Sequence, residues 1–162
     1  MRPLPQRVPA AYVRRHQPPE CAPVPESRFP DIANAEPLLD AALKDAAEAG
    51  EAVILVLGAD WCPDARAFAG FLDADELQAA LAGRARVLRV DIGRHDRNQN
   101  LVRRFGLGRR LEGVPAVLVL DAGGGVVNPA DVYRWRTARS ADPGMVADWL
   151  SPLVDTAKGP RA

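Results

Sequence analysis

The run Ala52-Val53-Ile54-Leu55-Val56-Leu57 constrains the fold of this chain more than any other stretch. It is the longest apolar run, strand-sized and far too short to span a bilayer. An unbroken apolar strand has no face to give to water, so it belongs in a sheet covered on both sides. The flanks supply the covers. Before it, Ala35, Leu38, Leu39, Ala42, Leu43 and Ala46 recur at helical spacing, with Asn34 placed to cap that helix and Gly50 to stop it. After it, Pro63 suits the first turn of a second helix whose inner face is Ala65, Phe68, Ala69 and Leu72.

The pattern continues downstream. A short helix is expected from around Asp75 to Leu81, ending at Gly83, and then a strand Val87-Leu88-Arg89-Val90 ending at Asp91. Leu101, Val102 and Phe105 mark another helix, stopped by Gly106, and Ala116 to Leu120 a third strand. Asp121 to Gly125 reads as a glycine-rich turn from which Val126-Val127 begins an antiparallel partner. Asp142-Pro143 caps a last helix with Val146, Trp149, Leu150 and Leu153 inward. Parallel crossovers followed by a hairpin imply an α/β domain over residues 34–155, with a mixed central sheet and helices on both faces. Residues 1–33 read as a proline-rich arm. Eight of the fifteen prolines fall before residue 31, where they can neither pair in a strand nor continue a helix. Residues 156–162 read as a frayed tail.

The chemistry concentrates in Trp61-Cys62-Pro63-Asp64-Ala65-Arg66. The thiolate, not the thiol, attacks a disulfide. A cysteine just before the first turn of a helix faces unpaired backbone N–H groups and the positive end of the helix dipole, both of which favour the anion. Arg66, one turn in, adds a favourable charge and Asp64 an opposing one. A buried, inert cysteine at a strand end is the bland alternative, but it does not explain the Trp-Cys-Pro order at a helix start.

Ala59-Asp60-Trp61-Cys62 after the long strand, the helix that follows, and Gly113-Val114-Pro115 before the third strand together resemble the thioredoxin superfamily over residues 35–155. The site is most similar to bacterial thioredoxin-like proteins reading Trp-Cys-Pro-Asp-Cys-Arg. The resemblance implies a thioredoxin-like fold and a thiol–disulfide oxidoreductase in which Cys62 attacks a protein or peptide disulfide. It implies a cis Pro115 that sets a backbone edge beside the nucleophile, with Val114 supplying contacts to a bound polypeptide. Trp61, Pro63 and Asp64 complete the substrate side, Arg66 supports it, and no cofactor or metal is called for. The resemblance also exposes departures. The buried acid that thioredoxins carry six residues before the nucleophile is Val56 here, and the lysine that accompanies it is replaced by Val87.

Ala65 is the sharpest departure. In a dithiol site the second cysteine resolves the mixed disulfide that the first one forms. With alanine there, resolution must come from Cys21, glutathione or a partner protein. Natural loss would give a monothiol protein or a module that mainly binds. Replacement of a resolving cysteine would trap the intermediate, and the matching Pro63-Asp64 and Arg66 favour replacement. A non-redox thioredoxin-fold module, binding a peptide or protein in the groove beside Cys62 and Pro115, is the competing function.

Charge narrows the partners. With 21 basic and 21 acidic residues the formal net charge is zero, which argues against bulk attraction to nucleic acid or an anionic membrane. A monomer is expected. Two cysteines are too few for a disulfide scaffold. The N-terminus shows no apolar signal region, so a cytoplasmic location is expected; a periplasmic one is the alternative if a signal was removed. Tyr133-Arg134-Trp135-Arg136, with Arg139, reads as a packed or partner-facing loop rather than a nucleic-acid surface. His16, Cys21, Cys62 and His95 show no metal-ligand spacing. Arg94, Arg97, Arg103, Arg104, Arg109 and Arg110 read as a solvated face.

Overall fold

The computed structural model describes residues 27–159. At its centre lies β1, Ala52–Gly58, buried along its whole length. On one side it pairs in parallel with β2, Ala85–Asp91, Ala52 opposite Ala85 and Gly58 opposite Asp91. On the other it pairs antiparallel with β3, Ala116–Leu120, Val53 opposite Leu120 and Leu57 opposite Ala116. The sheet order is β2-β1-β3. Only the step from β1 to β2 is therefore a parallel crossover; the third strand runs the other way.

Helices cover both faces, as the apolar strand requires. Ile54, Val56, Val117 and Val119 face α2 (Pro63–Asp73), α3 (Asp75–Leu81) and α5 (Pro143–Lys158). Val53, Leu55, Leu57, Leu118 and Leu120 face α1 (Glu36–Ala49) and α4 (Gln99–Arg104). Gly50, left-handed at φ 69°, closes α1 without a Cβ clash. Asn34 sits one residue before the flanking Ala35 and accepts the Glu36 N–H at 3.2 Å. The Asp142 carboxylate caps α5 by accepting the Met145 N–H at 3.0 Å.

Three expectations are corrected. Val126-Val127 does not build a fourth strand: Val126 makes one isolated bridge to Leu120, and Val127 donates to the Val119 carbonyl. The side chain of buried Asn128 takes over the ladder, accepting the Val119 N–H at 2.8 Å and donating to the Val117 carbonyl at 2.9 Å. Pro129, with no N–H to donate, follows at once. At the C-terminus, α5 runs past Thr156 to Lys158 instead of fraying, because Ala157 is buried against the core; Trp149 and Leu153 are only half-buried, and Val154 takes an inner position. Before α1, Phe29 is 2% exposed and belongs to the core, although it lies in the stretch read as an arm. Gly58 makes room for it: a Cβ there would lie 2.5 Å from Phe29 Cζ. The rest of the arm, with Cys21 and His16, lies outside the described residues. No described helix is long and apolar enough to cross a membrane.

Candidate active site

Cys62 is the N-cap of α2, in extended conformation, and its carbonyl accepts the Arg66 N–H at 3.0 Å. Pro63 fits the first helical position because the N–H it lacks would have no partner within the helix. The sulfur thus sits at the open end of an eleven-residue helix, where first-turn amides are unpaired within the helix. Cys62 is 7% exposed, and Sγ lies 3.5 Å from the Val114 carbonyl oxygen. The Val114–Pro115 peptide bond is cis, as the resemblance implied. Pro115 is buried and Val114 half-buried, so the two halves of the site, far apart in sequence, meet at the sulfur.

Asp60 ties down the turn that carries Trp61 and Cys62. Its carboxylate accepts the Ser27 hydroxyl, the Arg28 N–H at 2.9 Å and the Arg66 guanidinium at 3.3 Å. Arg66 is therefore directed at Asp60. Asp64 is buried, and its Oδ1 accepts the Arg139 N–H at 3.1 Å with the Arg139 guanidinium 3.4 Å away. Its charge is met by Arg139, so it is held rather than offered to a partner. Ala65 is fully buried one turn from Cys62, on the face of α2 that packs into the core.

Trp61 is 46% exposed and is held by its indole N–H, which donates to the Gly93 carbonyl at 2.7 Å. His95 tilts against it at 6.2 Å between ring centroids, and the Arg94 guanidinium stands 5.9 Å over the indole. Burial holds the His95 pKa below its ordinary value; Arg110 pushes it the same way and Asp96 opposes them. The loop behind Trp61 is anchored by Asn98, left-handed at φ 49° and buried. Its side chain accepts the Ala35 N–H and donates to the Ile32 and Asp91 carbonyls.

A kinked 3-10 stretch, Arg134–Ser140, packs over α2. Trp135 is buried between Phe68 and Trp149, at 5.9 and 5.6 Å between centroids, and the guanidinium of exposed Arg134 stands 5.4 Å over its ring. The loop is packed at Trp135 and exposed at its arginines. Arg136 and Tyr133 close on Gly113, where a Cβ would meet Arg136 Cδ at 3.2 Å and Tyr133 Cδ1 at 3.5 Å. Burial raises the Tyr133 pKa above its usual value. The arginines read as one solvated face divide: Arg97 pairs with Asp31 and Asp91, and Arg104 with Glu36 and Asp40. Among the described residues no three of His, Cys, Asp and Glu gather as a metal would need. Sequence reading missed Asp60 and Asn98 as anchors. Their only signal was position, beside the motif and at a loop before a helix.

A family model described as Thioredoxin-like matches residues 34–122, more than half of the chain. The chain belongs to the thioredoxin-like family. Among solved structures, it is similar to a disulphide isomerase from Xylella fastidiosa Temecula1, with 27% identity and a TM-score of 0.70 over 77% of this chain and 95% of that one. It also shares its fold with the C-terminal domain of DsbD from Neisseria meningitidis in the oxidised form, at 22% identity and a TM-score of 0.56 over 75% and 97% of the two chains. No curated protein matched. Within this family the pairing of Cys62 with the Val114–Pro115 edge is the feature on which a function can be argued.

Proposed function

We propose that this chain is a thiol–disulfide oxidoreductase in which Cys62 attacks a protein or peptide disulfide lying along Val114. The observation that carries the reading is Sγ at the open end of α2, 3.5 Å from the Val114 carbonyl. Val114 lies outside the sheet, so an extended peptide can pair with its backbone. Similarity to a disulphide isomerase supports the same chemistry. In the step proposed, the Cys62 thiolate attacks one sulfur of the substrate disulfide. A Cys62–sulfur bond forms, the substrate S–S bond breaks, and the other sulfur leaves with the electron pair as a thiolate.

The mixed disulfide then waits, because Ala65 offers no second sulfur. Another thiol, Cys21 or one from outside, must attack the substrate sulfur to set Cys62 free as a thiolate. Position 65, one turn from Cys62 and buried, is where a resolving cysteine would stand, and we read Ala65 as its replacement. The cytoplasm, rich in small thiols, suits a chain with this need.

Two measurements test the proposal, both in a Cys21→Ser background so that one thiol reports. Cys62 should alkylate in the folded protein at neutral pH, as an attacking thiol must. Ala65→Cys should gain reductant-driven turnover of an insulin-type disulfide substrate. An unreactive thiol together with no gain on Ala65→Cys would overturn the reading; peptide binding retained in that case would make the groove a non-redox binding site.

A further inference from the structure

The basic side chains around the thiol fall into two sets. Arg66 and Arg139 are answered by Asp60 and Asp64. Arg94, Arg110, Arg134 and Arg136 are exposed and make no ion pair with any described residue. Their positions bracket the groove. Arg94 stands over exposed Trp61, and Arg110 acts electrostatically on the neighbouring His95. Across the thiol, Arg136 packs on Gly113, the residue before Val114. From there an open cleft of about 510 Å³ leads away, with Tyr133, Arg134 and Arg136 in its wall.

Three acids share this rim and keep their charge. Asp131, in the same cleft, takes the Trp149 indole N–H at 3.5 Å, and Asp96 takes the Arg94 N–H at 2.9 Å. Glu112 makes no ion pair among the described residues. The net charge of the whole chain is zero, but at this rim the four arginines outnumber the three carboxylates. Exposed Trp and Arg are also the residue types that carry most interface energy.

We propose that the preferred disulfide substrate carries an acidic segment beside its reactive cysteine, with that cysteine at Val114 and the acidic residues running into the cleft under Arg134 and Arg136. This rests on the reading of Cys62 as the attacking thiol and adds the class of polypeptide it selects. Opposite charges steer encounter and exclude basic competitors.

The test uses three synthetic peptides, each with one cysteine activated as a 2-pyridyl disulfide and flanked by acidic, neutral or basic residues. Cys62 attacks the peptide sulfur, forms the mixed disulfide and expels pyridine-2-thiolate, which ends as the absorbing thione. In the Cys21→Ser chain at low salt, the acidic peptide should react about tenfold faster than the basic one. Raising salt should erase the ratio, and Arg134→Glu with Arg136→Glu should invert it. Taking the ratio within each protein cancels any change in Cys62 itself, and the salt series needs no variant to fold.

Equal rates for the three peptides, or a salt-independent ratio, would overturn the proposal. So would a mixed-sequence oligonucleotide that binds more tightly than the acidic peptide. Should Cys62 release no thione from any of the peptides, the oxidoreductase reading falls by itself. Calorimetry with serine-for-cysteine versions of the same peptides then decides the surface: tighter binding of the acidic peptide upholds its selectivity, and equal binding removes it.

Discussion

At the scale of single residues, the turn that carries Cys62 is held by the side chains around it. Asp60 joins Ser27, Arg28 and Arg66, and so fixes the turn before the nucleophile from three directions. His95 fixes the other flank, packed against Trp61. Its depressed pKa means that the folded state prefers the neutral imidazole, while the unfolded chain takes up its proton near the ordinary value of 6.5. Below pH 6.5 the unfolded state therefore binds more protons, and the stability His95 contributes is lost as pH falls through the folded value. Denaturant midpoints should drop more steeply over that range in the parent than in His95→Asn, a replacement that tolerates the left-handed backbone at φ 65°. Identical slopes for the two proteins would show that His95 is not the group responsible.

At the scale of elements, Asn128 shows how one side chain stands in for a strand. It pairs the outer edge of β3 at Val117 and Val119, groups that would otherwise be buried without partners. Asn128→Ala should cost about 2–3 kcal/mol in denaturant unfolding; a loss under about half a kcal/mol would mean water replaces the amide. The elements themselves were legible from the chain because periodicity and stop signals agreed. Gly50, Pro63 and Gly106 mark helix ends, and β1 and β3 are short apolar runs. Val126-Val127 misled because two β-branched residues after a turn look alike whether or not a partner follows. The decisive residues were the next two, Asn128 and Pro129, which divert the chain. That Cys62 opens a helix and that the Val114–Pro115 bond is cis were legible from motif alone. The anchoring by Asp60, Asn98 and Arg139 was not, since each depends on contacts between residues distant in sequence.

Across the whole molecule, the core and the reactive edge are one construction. Phe29 reaches under the sheet from before α1 to fill the space Gly58 leaves, close to Ala65. Phe29→Ala should lower stability by about 3–5 kcal/mol and loosen the same turn that Asp60 ties; unchanged unfolding would mean the core closes over the gap. Around this base the described residues present the Cys62 sulfur, the Val114 backbone edge and a rim of arginines without ion pairs among them. On the chemistry proposed, the protein completes the first half of disulfide exchange and then stops. The direct measurement is intact mass over time after mixing the reduced Cys21→Ser chain with a disulfide-linked peptide. The account predicts that a single peptide adduct on Cys62 accumulates and persists until an outside thiol is added, and that it fails to accumulate in Ala65→Cys. No adduct on Cys62, or an adduct that resolves unaided, would contradict it.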